Sequence, residues 1–210
     1  MNIAVLGASG WLGSTISAEA LARGHRVIGL ARNPQGLPEG ITPRAFDLNA
    51  EQSLAEALAG ADLLIASVGG RAAGNHEIVP ATAARLLAEL PKAGVKRLLW
   101  VGGAGSLEVA PGEVLVAQPS FPAEYKAEAI AQGEALAVFR DSQSPLAWTF
   151  VSPAAEIYPG ERSGAYRFGG DQLLVDDQGR SRISAEDYAV ALLDLAEQAA
   201  VAQKRVSVAY

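Results

Sequence analysis

The segment Gly7-Ala8-Ser9-Gly10-Trp11-Leu12-Gly13 follows directly on an apolar run at residues 3–6 and leads into the helically spaced residues Leu12, Ile16, Ala20 and Leu21. Three glycines at that spacing, between a strand and a helix, let the backbone turn sharply and pass close to a bound group. The amides of such a turn and the positive end of the helix dipole suit a pyrophosphate. In this reading Gly7 permits the tight turn, Gly10 the close approach and Gly13 the packing of helix on strand. Ala8, Ser9, Trp11 and Leu12 complete the turn, and Trp11 is placed to line the mouth of the site.

The rest of the chain supports that context. Short apolar runs recur at 3–6, 27–30, 61–66, 97–101 and 147–151, with the character of strands buried on both faces. Between them lie helical spacings such as Leu54 and Leu58, then Leu86, Leu87 and Leu90. Strand alternating with helix implies a Rossmann-like, doubly wound α/β domain, with a parallel sheet and helices on both faces. Asn49 is expected to cap a helix over 51–58, while Gly24 and Gly60 stand where helices end in a left-handed residue. After Ser152 the rhythm changes. A Pro/Gly-rich stretch precedes two short runs, 166–168 and 173–175, which flank Gly169-Gly170 and suggest a hairpin. Ser184 with Asp187 forms a capping box opening a helix from Ala185 to about Gln198, and 205–208 returns as a final strand. Residues 1–210 are read as a single domain in which 153–183 is a substrate-side insertion.

Composition removes several classes of function. The 210 residues include no cysteine, which excludes a thiol nucleophile, a Cys-ligated zinc and an iron–sulfur cluster. A net charge of −6, without any basic block, argues against a nucleic-acid partner. The apolar runs fall short of the roughly 20 residues that span a bilayer, so no membrane role is expected. The first six residues lack a positive n-region and a cleavage site, and the expected compartment is the cytoplasm. His25 and His76 have neither metal-ligand spacing nor a Ser or Asp partner in sequence and are read as structural or surface residues. No metal site is expected. Asp171, Asp176 and Asp177 read as solvated turn residues, Trp100 and Trp148 as core.

The second strand ends in Leu30-Ala31-Arg32-Asn33-Pro34. An NAD site usually carries Asp or Glu there for the ribose 2′-hydroxyl, whereas a guanidinium forks onto a 2′-phosphate. Arg32 therefore favours NADP(H) over NAD(H). Asp47 and Leu48 follow the third strand, where a carboxylate can accept from the adenine amino group or serve as a turn residue. Ser67, Val68 and Gly69 end the fourth strand, at the switch point where the ligand crevice opens.

These residues, together with Val101-Gly102-Gly103-Ala104-Gly105-Ser106-Leu107 and the Arg182-Ile183-Ser184-Ala185-Glu186-Asp187-Tyr188-Ala189 stretch, resemble the atypical short-chain dehydrogenase/reductases. More narrowly they resemble the NAD(P)H-binding group that includes NADH-flavin reductases, biliverdin reductase B and NmrA-like proteins. The resemblance implies that 7–13 bind the pyrophosphate, Arg32 the 2′-phosphate, and Asp47 with Leu48 the adenine. It further implies that Val68 and Gly69 run past the ribose, and that Gly102 to Ser106 approach the nicotinamide. One departure stands out. A carbonyl-reducing member uses Tyr with Lys four residues later, but here Tyr125 is followed at that spacing by Ala129, Tyr158 by Arg162 and Tyr166 by Gly170. Ser106, Tyr125 and Lys126 are left as candidate catalytic groups, and Tyr125 and Lys126 read equally well as an exposed helix face after Pro122. Hydride transfer to a flavin, a quinone or a similar planar acceptor does not demand that acid. The implied activity is therefore an NAD(P)H-dependent reductase of such acceptors. Its alternatives are a non-catalytic NADP-sensing protein and a relative of sugar-nucleotide epimerases or dehydratases.

Overall fold

A computed structural model describes residues 1–198 and 202–210. Its main sheet contains β1 (Asn2–Leu6), β2 (Arg26–Ala31), β3 (Ile41–Ala45), β4 (Leu63–Ala66), β5 (Arg97–Val101), β8 (Ala147–Ser152), β10 (Arg167–Gly169) and β12 (Lys204–Ala209). Among the described residues the strand order is β10-β12-β8-β5-β4-β1-β2-β3. Every pairing is parallel except that of β10 with β12. The order reverses at β1, which pairs with β2 on one side and β4 on the other. A doubly wound sheet opens its ligand crevice at that point. The helices are α1 (Trp11–Ala22), α2 (Leu54–Ala57), α3 (Ile78–Glu89), α4 (Ala123–Asp141) and α5 (Ala185–Gln198). Two further small sheets pair β6 (Glu108–Ala110) with β7 (Glu113–Val114), and β9 (Glu156–Tyr158) with β11 (Arg182–Ser184).

Successive residues of a strand point to opposite faces, and the core divides accordingly. Ala4, Leu6, Leu64, Leu98 and Trp100 join one buried layer with Leu86 of α3 and Phe139 of α4. Ile3, Val5, Leu63, Ile65, Leu99 and Val101 join the other, with Ile16 of α1 and Tyr188 and Leu192 of α5. Both faces are covered, which is why these strands read as continuous apolar runs rather than alternating ones.

Gly24 and Gly60 take positive φ as expected. Three local expectations need correction or completion. Asn49 caps nothing: Asp47 Oδ1 accepts from its backbone and side-chain nitrogens, and Ser53 caps the single-turn α2 by accepting from Glu56 N. The run 166–168 does not pair with 173–175. β10 instead adds antiparallel to β12, and Leu173 N donates to Glu108 O. Gly169-Gly170 does mark a bend in the chain, but the strand that receives β10 is the edge of β12 and not the segment directly after the bend. The capping box forms in one direction, Asp187 N donating to Ser184 Oγ at 3.0 Å. Its other arm is redirected: the Asp187 carboxylate accepts from Gly164 N and Ser163 Oγ, and from the Tyr210 hydroxyl. The segment that carries Ser163 and Gly164 is thereby pinned to the start of α5.

A charged cluster joins α1 to that segment. The nearly buried Glu19 accepts from Arg162 at 2.8 Å and from Arg23 at 2.7 Å. Hydrogen bonds from Arg162 hold the Glu19 carboxyl down at about 2 against its usual 4.5, despite burial. A carboxylate with a depressed folded pKa stabilises the fold above its unfolded value and loses that contribution as pH falls toward the folded one. Glu19→Gln is therefore expected to flatten the fall in melting temperature between about pH 4.5 and 2, relative to the unaltered chain. A thermal-melt series across that range checks it; parallel curves would remove Glu19 from the acid response.

Candidate functional site

The cleft at the switch point has a volume of about 750 Å³, and its floor is the glycine turn. Gly7 has φ +81°, and a Cβ there would lie 2.2 Å from Ser67 O. A Cβ on Gly13 would lie 2.1 Å from Gly7 O. These two contacts hold the turn against β4 and the first turn of α1 against β1, at distances that admit only glycine. Gly10 precedes α1 with no side-chain cap, so the amides that open the helix receive no side-chain acceptor. Uncapped amides at the positive end of a helix, beside an open glycine backbone, suit a diphosphate.

Arg32 follows β2 directly at one side of this floor and lines the cleft. Among the described residues its guanidinium has no hydrogen-bond or ion-pair partner. Asp47 and Leu48 lie on the same side, where Asp47 Oδ1 is used by Asn49 and its backbone N–H donates to Gln52. Arg85 of α3 braces this loop through the Gln52 carbonyl at 2.6 Å. On the opposite side, Ser67, Val68 and Gly69 follow β4 and Gly102 follows β5. Of the expected cofactor-binding set, Gly7, Ser9, Gly10, Trp11, Leu12, Arg32, Asp47, Leu48, Ser67, Val68, Gly69 and Gly102 all line the cleft. Ala8 and Gly13 are buried beneath it and support the turn instead.

The three candidate catalytic groups are dispersed. Tyr125 lines the cleft, half-exposed, with the Arg71 guanidinium 4.4 Å from its ring centroid. Lys126 is exposed and does not line it. Ser106 lies behind it: Arg205 of β12 donates to both its carbonyl and its hydroxyl, at 3.0 and 2.9 Å. Arg205 is itself buried and also bonds Asp171, which is therefore an ion-pair partner and not only a solvated turn residue.

What the sequence reading missed is on α4. Glu128 Oε2 accepts from Gly70 N at 3.0 Å and from His76 Nδ1 at 2.9 Å, so His76 has a structural role as a partner of a cleft-lining residue. One turn on, the buried Gln132 accepts from Trp100 Nε1 and donates to Val68 O, both at 2.9 Å. Glu128 and Gln132, four residues apart on one helix face, fasten the loop after β4. No local motif marks them; only their four-residue spacing beside an expected ligand loop was available.

Floor, crevice and strand order define a dinucleotide-binding protein of the Rossmann type. Residues 7–199 match the family described as NAD(P)H-binding, and the chain belongs to it. A protein of Burkholderia pseudomallei, called an exported protein, is 46% identical with a TM-score of 0.90 and full coverage of both chains. A protein of Streptococcus pneumoniae, called an NADH-flavin reductase, is 32% identical with a TM-score of 0.85, covering 100% of this chain and 99% of that one. A protein of Bacteroides thetaiotaomicron, called an epimerase, is 35% identical with a TM-score of 0.88, covering 100% of this chain and 96% of that one. Among the described residues no group of His, Asp and Glu is arranged to hold a metal, and no helix is long and apolar enough to cross a membrane.

Replacing Gln132 by Leu leaves the Trp100 N–H and the Val68 carbonyl buried without their partner. The expected cost is about 2 kcal/mol. Urea unfolding at neutral pH checks it, and a change below about 0.5 kcal/mol would contradict the bracing role.

Proposed function

We propose that the chain is an NADPH-dependent reductase that delivers hydride to a flavin, a quinone or a similar planar acceptor. The observation that carries the reading is Arg32, without a partner among the described residues, beside an uncapped helix N-terminus in the same cleft. In this reading Gly7, Ser9, Gly10 and Leu12 hold the diphosphate with backbone amides. Arg32 binds the 2′-phosphate and Asp47 with Leu48 receives the adenine. Ser67, Val68, Gly69 and Gly102 form the track of the second nucleotide. When bound, reduced nicotinamide supplies a hydride to the acceptor, whose balancing proton comes from water.

The acceptor side is walled by residues 153–157, and Trp11, Phe121 and Tyr125 offer aromatic surface at the cleft. Flat apolar walls suit a planar ring, and catalysis of this kind rests on proximity rather than on a fixed acid. The Streptococcus pneumoniae relative called an NADH-flavin reductase supports the choice of acceptor. Ser106 is engaged by Arg205, so Tyr125 is the candidate group we retain beside the acceptor. The relative called an epimerase supports a second reading, in which the cofactor is regenerated within each turnover and never consumed.

Steady oxidation of NADPH by the purified protein, with FMN, riboflavin and quinones offered in turn and NADH in parallel, tests these readings. Net acceptor-dependent oxidation belongs to the reductase alone. Binding without oxidation by any acceptor would favour a regulatory role or internal recycling. Arg32→Ala is expected to weaken NADPH binding about 10- to 100-fold, the worth of one or two charged hydrogen bonds, while NADH binding changes less than about threefold. Fluorescence titration with each cofactor reads the ratio; an equal effect on both would overturn the NADPH preference.

A further inference from the structure

Glu128 carries a carboxylate whose two oxygens differ sharply in their surroundings. Oε2 takes two short hydrogen bonds, from Gly70 N and His76 Nδ1. Among the described residues Oε1 accepts a single long hydrogen bond, 3.4 Å from the Gln132 amide, whose nitrogen also donates to Val68 O at 2.9 Å. The side chain is 21% exposed and lines the cleft, and Oε1 lies 3.2 Å from the point where a Cβ on Gly69 would stand. One oxygen therefore anchors the group and the other is presented, nearly unsatisfied, beside the Gly69 backbone. His76 can make its bond to an ionised Glu128 only as the Nδ1–H tautomer, so the anchoring donors favour a fixed acceptor.

The position of this acceptor along the cleft follows from the sheet order. A dinucleotide lies across the switch point, with its diphosphate over the turn after β1 and its two nucleosides running to opposite sides. Arg32 and Asp47 stand on the β2–β3 side. The second nucleoside must then run toward β4 and β5, and the first wall residues there are Ser67 to Gly70, over which Glu128 hangs. A sugar on that track carries two adjacent hydroxyl donors and meets a carboxylate oxygen whose one donor among the described residues is the long contact from Gln132.

Building on the cofactor reading above, we infer that Glu128 Oε1 accepts a hydrogen bond from the ribose hydroxyls of the nicotinamide half of the cofactor. The carboxylate holds the sugar from the α4 side, with His76 and Gly70 N as positioning groups that aim it.

Glu128→Gln separates this role from simple bracing. The glutamine carbonyl still takes the Gly70 and His76 donors, and its amino group then replaces the presented acceptor with a donor. NADPH binding, followed by cofactor fluorescence, is expected to weaken about tenfold. Binding of 2′,5′-ADP, which carries only the adenosine half and is followed by calorimetry, is expected to stay within about twofold. Glu128→Ala should reproduce the pattern with a larger loss of NADPH and a lower melting temperature. Unchanged NADPH affinity in both variants would overturn the assignment. An equal loss of NADPH and 2′,5′-ADP would also overturn it, leaving Glu128 as a loop brace. If the unaltered protein binds neither NADPH nor 2′,5′-ADP, the cofactor reading itself fails, and this assignment with it.

Discussion

The structure depends on two backbone contacts that tolerate no side chain. Gly7 lies against the Ser67 carbonyl and Gly13 against the Gly7 carbonyl, each so close that a Cβ would fall about 2 Å from an oxygen. The first contact brings the end of β1 against the end of β4, and the second seats α1 directly on the turn. Without them the helix would stand off the sheet, and its opening amides would no longer face the crevice at the point where strand order reverses. Position of the helix dipole, depth of the cleft and close packing of Ile16 beneath it all follow from that tight seam.

The two sides of the cleft are built by different means. On the β2–β3 side the groups belong to short loops directly after their strands, and Arg32 has no partner among the described residues. The β4 side is shaped from a distance, because α4 reaches back with Glu128 and Gln132 to hold residues 68–70. Trp100 ties this clamp into the core: its indole N–H bonds Gln132 while its ring packs edge-on against Phe139 of the same helix, with centroids 5.4 Å apart. Buried polar networks of this type are costly when incomplete and rigid when every member is paired. Here the chain appears in its paired form from indole to backbone carbonyl.

That difference explains what could be read in advance. Strand runs, the glycine turn and Arg32 are local features, and local spacing carries them, so the fold class was legible and most of the expected cofactor-binding residues do line the cleft. Glu128, His76 and Gln132 meet these partners 32 to 64 residues away in sequence, and no periodicity announces such a meeting. Ser106 illustrates the converse. It follows a glycine-rich strand end, as an active-site serine would, yet Arg205 arrives from the far end of the chain and draws its hydroxyl behind the cleft. Asn49 had the right chemistry for a cap, but the turn around Asp47 consumed it and Ser53 took the role. The pairing of β10 was misjudged for the same reason, since a turn signal says where a chain reverses and not which strand will receive it.

The edge arrangement of β10 and β12 has a bearing on how the chain reaches its folded state. β10 is hydrogen-bonded to β12 and to no other strand of the main sheet, and β12 takes its own place by pairing with β8 across more than 50 residues of intervening chain. Contacts of such long sequence separation form late, because the entropy of closing the loop must be met before the ladder rewards it. Within the segment between β8 and α5, β10 therefore has its partner strand only after the strand beyond α5 has docked. During that interval the apolar edge of β8 stands open, which makes it the region of the nascent fold most exposed to mispairing and to proteases.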